Sequence, residues 1–476
     1  MMMKKLGVVV LLWSVLQGGV WAGFEEGLAA YERRDYATAL REWQPLAHAG
    51  DAAAQYKLGT MYNIGTGVPK SKTEAVKWYR RAADQGYANA QFTLGVLYAQ
   101  GSGVPKNDTE AVKWYRRAAD QGDADAQFML GGSYANGLGV LKNDTEAVKW
   151  YQLAAVQGIT NPQLALTAQL ILGEMYANGR GVPKNDTEAV KWYRMAAVQG
   201  DADAQFILGV SYANGLGVPK NDTEAVKWFR LVAVQGANNP QLALTAQLVL
   251  GEMYSNGRSA PKNHTEAVKW YRLAADQGDD SAQYNLGLMY AKGEGVLRND
   301  LEAVKWYRLA ADQGNANAQY ALGLMYDNGR GVSKSDVEAV RWYRLAADQG
   351  NASAQLNLGS MYANGTGVPK SDTDAAKWYR LAASQGQTNA QVLLGMMYAN
   401  GNGVAKSLIV AYALVNHAQV GLSRDRAQAV NKFRDILEQY LTPMQRATAQ
   451  AISIKLQNSD DFLRTLDEAV RQTAGK

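Results

Sequence analysis

Polar and apolar positions alternate along this chain in a pattern that returns again and again. In DTEAVKWYRRAADQG, Asp108 to Gly122, the apolar residues Ala111, Val112, Trp114, Tyr115, Ala118 and Ala119 fall on one side of a 3.6-residue helix. Glu110, Lys113, Arg116 and Asp120 form the polar side, with acid and base three or four residues apart where they support each other. Asp108 is placed to cap the helix start, and Gly122 to end it in a left-handed conformation. The stretch predicts one complete amphipathic helix.

A second helical pattern precedes each copy. In AQFTLGVLYAQGSGVPKN, Ala90, Leu94, Leu97 and Tyr98 mark one face, and Gly95 sits where a Cβ would be expected. A mid-helix glycine costs up to ~1 kcal/mol against alanine. Its return in ten copies, Gly59 to Gly395, predicts the close approach of a neighbouring helix through its Trp or Tyr. A Gly-rich turn closed by Pro105 ends the helix. Each repeat therefore reads as helix, tight loop, helix, turn.

Used as a ruler, the repeat tryptophans Trp78, Trp114, Trp150, Trp192, Trp228, Trp270, Trp306, Trp342 and Trp378 are spaced by 36 residues, or by 42 in two cases. A fixed period with helical patterning inside it predicts a solenoid, because a pair of short helices buries its apolar face only against neighbouring pairs. The repetition is the fold.

The pattern A-Q-x-x-L-G-x-x-Y-x-x-G-x-G-V, followed by A-x-x-W-Y-x-x-A-A-x-x-G, resembles the Sel-one-like repeat, a relative of the tetratricopeptide repeat with a longer loop. Ten first helices begin at Ala54, Ala90, Ala126, Ala168, Ala204, Ala246, Ala282, Ala318, Ala354 and Ala390. The resemblance implies an all-α fold, a right-handed α-solenoid of stacked helix-loop-helix repeats over 54–403. Residues 23–53 resemble a tetratricopeptide-like N-terminal cap, and 404–476, where the tenth second helix lacks Trp, read as a C-terminal helical cap. Two copies carry six extra residues, in ITNPQLALTAQL and ANNPQLALTAQL. Asn161-Pro162 and Asn239-Pro240 there predict an N-cap followed by proline at the first helical position. The block Gly122–Gln199 recurs with few changes as Gly200–Gln277, so a double repeat was duplicated whole.

Composition adds compartment. Lys4 and Lys5, a short apolar run and Val20-Trp21-Ala22 form the pattern of a secretory signal peptide over 1–22, with cleavage expected after Ala22. No later segment is apolar enough to span a bilayer, so the mature chain is expected to lie in the bacterial periplasm or be secreted. The chain has no cysteine, so neither a lipid anchor nor a disulfide can form there. Formal charge is +5, falling to +3 without Lys4 and Lys5, and the charges alternate along every repeat instead of forming basic blocks. Nucleic acid is therefore not an expected partner.

The search for chemistry yields little. His48, His264 and His417 lie in separate repeats and give no metal-ligand spacing and no triad. The NGxGV loops join helices and lack the strand that phosphate-binding loops follow. Ser259-Ala260-Pro261-Lys262 spells S-x-x-K, but proline interrupts it and neither S-D-N nor K-T-G occurs. The nine tryptophans read as core with each indole N–H partnered at its edge. Asn107, Asn143, Asn185, Asn221 and Asn263 in N-D-T and N-H-T fit helix caps as well as glycan acceptors. No catalytic residue, cofactor or metal is expected.

What remains is a long curved surface, and the resemblance implies an adaptor, expected as a monomer, that binds a protein or peptide partner on its concave face. Partner choice should reside where copies differ. The residue before Leu-Gly varies, at Lys57, Thr93, Met129, Ile207, Asn285 and Asn357 among others, as does the pair before the shared Tyr, for instance Thr60-Met61, Gly132-Ser133 and Glu252-Met253. The second hypothesis is an enzyme acting on cell-wall peptide or β-lactam, implied only by penicillin binding in some disulfide-stapled relatives.

Overall fold

The computed structural model describes residues 23–156, 161–236, 239–258, 262–419 and 424–474, and the signal-peptide segment 1–22 lies outside them. The regular elements among the described residues are α-helices. Helices α1 (23–32) and α2 (Tyr36–Ala49) open the chain. The pairs α3 (Ala52–Ile64) and α4 (Lys72–Asp84), α5 (Ala88–Gln100) and α6 (Asp108–Asp120), α7 (Ala124–Asn136) and α8 (Asp144–Ala155), α9 (Pro162–Asn178) and α10 (Asp186–Val198), α11 (Ala202–Asn214) and α12 (Asp222–Ala233) follow. Then come α13 (Pro240–Ser255) and α14 (His264–Asp276), α15 (Asp280–Lys292) and α16 (Asp300–Asp312), α17 (Ala316–Asn328) and α18 (Asp336–Asp348), α19 (Ala352–Asn364) and α20 (Asp372–Ser384), α21 (Thr388–Asn400) and α22 (Leu408–Ala418). Helices α23 (Arg424–Gln439), α24 (Pro443–Gln457) and α25 (Phe462–Thr473) close it. The chain forms two compact units, one through Leu242 and one from Ala243. Each is an all-α solenoid in which a first helix packs on its own second helix and on the second helix before it.

Local chemistry sets the helix ends. The second helices are capped one residue earlier than Asp108 predicts: Asn107 is extended at φ −153°, and its side chain accepts from the Glu110 amide at 3.0 Å. Asp108 is instead the first helical residue, where its charge opposes the positive helix end. Asn143, Asn185, Asn221 and Asn263 act as Asn107 does. Gln121 ends α6, and Gly122 then turns the chain at φ +91°. In the two lengthened copies Asn161 accepts from the Leu164 amide and Asn239 from the Leu242 amide, each at 3.2 Å. Pro162 and Pro240 begin the helices as predicted.

The mid-helix glycine is explained by tyrosine. A Cβ on Gly95 would lie 2.6 Å from Tyr115 Cδ1, and one on Gly323 would lie 2.6 Å from Tyr343 Cδ1. Phe229 takes this place opposite Gly209 and Val415 opposite Gly395. Tyr343 is fully buried as a result. The tryptophans play a different part: Trp114 joins the cluster of Ala75, Val76 and Tyr79 from the second helix one repeat earlier, so the indole wedges between consecutive second helices. Trp78, Trp114, Trp306, Trp342 and Trp378 are buried, and Trp150, Trp192, Trp228 and Trp270 half-buried. The expected partner at the indole edge is not found at Trp114, Trp150, Trp228, Trp306 or Trp342, whose N–H groups meet no acceptor on the protein. The Arg117 guanidinium covers the face of the Trp114 ring, 4.6 Å from its centre.

A buried glutamine unites the repeats. Gln91 Nε2 donates to the Ala83 carbonyl at 3.0 Å, at the end of the preceding second helix where the Gly86 amide also reaches it, and Gln91 Oε1 accepts from Gln121 Nε2 at 2.7 Å. Within each unit the same exchange recurs, as at Gln55 and Gln205 in the first and Gln283, Gln319 and Gln355 in the second. At the C-terminal end, Ile409 to Val415 of α22 are all buried beneath Leu437, Ile452, Leu456 and Leu466 of the last three helices.

Two alanine substitutions should therefore differ in sign. Gly323→Ala must displace Tyr343 and is expected to cost about 1–3 kcal/mol. Gly132→Ala, whose Cβ would stand 3.5 Å from the Tyr151 hydroxyl, should gain up to ~1 kcal/mol from helix propensity. Denaturant melts of the two variants followed by circular dichroism check the order.

Candidate recognition surface on the first helices

The residues at which copies differ stand on the first helices, beside the Leu-Gly pair that faces inward. Lys57, Thr93, Ile207, Asn285 and Asn357 are half-buried, and Met129 and Glu252 are exposed. Lys57 Nζ lies 5.9 Å from the centre of the Trp43 ring. Asn357 hydrogen-bonds the hydroxyls of Tyr320 and Tyr343, so it is tied to the repeat before its own. The second member of each varied pair is different: Met61, Leu97, Ser133 and Met253 are buried, because that position turns toward the preceding second helix. Variation there alters packing beneath the surface.

Two groups of these residues meet in cavities. In the second unit Glu252 and Asn285 line a polar cavity of about 450 Å³ with Lys262, His264, Lys292 and Glu294. His264 Nδ1 lies 3.9 Å from Glu294 Oε2, and burial followed by the Glu252 charge pushes the Tyr271 hydroxyl well above its ordinary pKa. In the first unit Ile207 lines an apolar cavity of about 300 Å³ with Tyr193, Phe206, Val210, Ser211 and Leu216. Lys57, Thr93, Met129 and Asn357 line neither.

The loop after each first helix reaches back over the start of a second helix. A Cβ on Gly217 would lie 2.1 Å from the Asp186 carbonyl oxygen, so only glycine allows the contact. The residue just before that glycine sets the local charge. Arg330 reaches Asp300 at 2.7 Å and Arg298 does so at 3.0 Å, and their hydrogen bonds hold the Asp300 carboxyl down to about 2. Arg180 meets Asp144 at 3.4 Å in the same way. At Leu138 and Leu216 the loop carries an apolar side chain instead, about half exposed in each case.

Among the described residues no group of three or more His, Asp or Glu side chains could hold a metal, and no helix is long and apolar enough to cross a membrane. Of the S-x-x-K stretch, Ser259, Ala260 and Pro261 lie outside the described residues.

The Sel1 repeat model matches ten segments: 52–87, 88–123, 124–159, 166–201, 202–236, 244–279, 280–315, 316–351, 352–387 and 388–415. The chain belongs to the Sel1 repeat family. Its structure is similar to that of c5321, described as a protective antigen present in uropathogenic Escherichia coli strains displaying an SLR fold. The identity is 34% over 98% of this chain and 97% of that one, at a TM-score of 0.68. It is also similar to a Sel1 repeat protein from Oxalobacter formigenes, 36% identical over 67% of this chain and 89% of that one, at a TM-score of 0.50. No match to a curated protein was found. The Sel1 repeat solenoid supports a protein-interaction role in general. Sequence reasoning missed the buried glutamine, whose only signal was its return beside alanine in every first helix.

The Asp300 clamp gives a pH test. The folded carboxyl titrates below its ordinary value, so its contribution is present above about pH 4 and is lost as pH falls through that value toward 2. Arg330→Leu should lower stability by about 1 kcal/mol near neutrality, since the pair is partly solvent-screened. The gap to the parent chain should close on acidification, as read by thermal melts between pH 7 and pH 2.5.

Proposed function

We propose that this chain is an exported, non-catalytic scaffold that binds a protein or peptide partner along its first helices. One observation carries the reading: the Leu-Gly pair and the buried glutamine recur in every first helix, whereas the half-buried or exposed positions Lys57, Thr93, Met129, Ile207, Asn285, Asn357 and Glu252 differ from copy to copy. A surface that differs from repeat to repeat on a constant framework is how a solenoid specifies an extended partner. Export rests on the 1–22 leader pattern, and the description of the 34% identical relative as a protective antigen favours it. The alternating charges favour a monomer that leaves nucleic acid alone.

The test is in-cell crosslinking of the chain in its native compartment, beside a variant with Lys57, Thr93, Met129 and Asn285 replaced by alanine. The variant is expected to fold like the parent and lose at least nine-tenths of the captured partner. Equal capture by both would move the function to another surface, and no capture by either would remove the scaffold reading.

A further inference from the structure

The buried residue before the shared tyrosine is methionine in seven first helices, Met61, Met175, Met253, Met289, Met325, Met361 and Met397, and leucine at Leu97. It is serine at Ser133 and Ser211. Where methionine is present its place is plain: Met325 packs with Ala303, Val304 and Tyr307, with Ala291 beside them, and Met175 packs with Ala147, Val148, Tyr151 and Ala135. The equivalent residues around Ser211 are Ala189, Val190, Tyr193 and Ala177, and these line the apolar cavity of about 300 Å³. The cavity is the seat of a side chain that the chain itself does not supply. Serine leaves the seat's walls intact while removing its occupant.

From this vacancy we infer a partner contact: the notch at Ser211, and its equivalent at Ser133, receives a methionine or leucine side chain of a bound protein segment flanked by lysine or arginine. The apolar part of that chemistry is read from the chain's own repeats, which fill the same seat with methionine or leucine. The cationic part follows from the rim. Asp186 lines the notch and meets Lys184 at 3.8 Å, but Leu216 stands where Arg180 or Arg330 would clamp the equivalent aspartate. The charge of Glu174 also bears on Tyr193, which lines the notch. At the equivalent position Ser133 has Leu138 in the same loop place, Asp108 with Lys106 at 3.7 Å, and a buried Tyr115 hydroxyl without a partner on the protein. Ser133 spends its own hydroxyl on the Met129 carbonyl at 2.8 Å, so it offers the notch no donor. Two such seats in one unit allow a partner with two apolar anchors to gain by linkage.

This inference rests on the scaffold reading and names the chemistry of its partner. The test is fluorescence anisotropy of the full chain with a labelled Gly-Ser-Lys-Met-Lys-Ser-Gly peptide and with versions carrying alanine for methionine or aspartate for lysine. The parent peptide is expected to bind at least tenfold tighter than either version. Ser133→Met with Ser211→Met, which restores the residue found in seven copies, should abolish that preference while melting no lower than the parent. Leu216→Arg, supplying the clamp seen at Arg330, should weaken the dependence on lysine at that notch. Binding that survives both methionine substitutions, or that does not distinguish methionine from alanine, overturns the inference. So does a parent chain that dimerises in sedimentation and becomes monomeric on filling the notches, since a second copy would then be the occupant. A crosslinked partner retained by the filled variant leaves the scaffold reading standing while this one fails.

Discussion

The absence of one methyl group in each first helix governs the packing of this molecule. A Cβ at Gly59, Gly95 or Gly323 would lie within 3 Å of a tyrosine ring carbon, a distance that packed atoms do not adopt. Because glycine removes it, the ring lies flat against the helix and the Leu-Gly face closes over the alanine pair of the second helix. Small residues then do on both sides what large ones could not: Ala82 and Ala83, or Ala346 and Ala347, bring the next first helix close enough for a glutamine to reach a backbone carbonyl. Glycine weakens each helix taken alone, and the close contact it permits offsets that loss. Stability in such a stack belongs to the interfaces more than to the helices.

The glutamine link shows how the stack handles helix ends. The last carbonyls of a helix have no partner inside it, and burial without one costs about 1–3 kcal/mol. Gln91 serves the Ala83 carbonyl and takes the amide of Gln121 one repeat on, so a single side chain joins three successive helices. It is polar, buried and satisfied. A leucine there would cut both links, leaving the Ala83 carbonyl with the Gly86 amide alone and the Gln121 amide with the Arg117 carbonyl alone.

Much of this was legible in the sequence, and the parts that were not share a cause. Helix pairs, the need for a ring opposite Gly95 and the early start at Asn161-Pro162 follow from period, propensity and capping, all of which act within a few residues. The choice of tyrosine over tryptophan opposite the glycine, and the wedge of Trp114 between second helices, depend on how one repeat is rotated against the next. No local pattern encodes that rotation. The cap moved from Asp108 to Asn107 because the deciding factor was the extended backbone of the preceding residue, although both side chains are able caps. Of the candidate surface, sequence identified which first-helix positions vary. It placed Leu97 on the apolar face yet counted its equivalents Met61 and Ser133 among the varied surface, and so missed that a change there alters the depth of the surface above.

Duplication then explains why variation comes in pairs. The block Gly122–Gln199 was copied as Gly200–Gln277, and with it Ser133 with Leu138 became Ser211 with Leu216, and Glu174 with Arg180 became Glu252 with Arg258. The serine at the seat and the leucine in the loop occur together in both copies and in none of the other eight repeats, whose loop position holds arginine only at Arg180, Arg258 and Arg330. Inheritance from one duplicated block accounts for the association, and the duplication thereby doubled one local arrangement of seat and loop within the first unit.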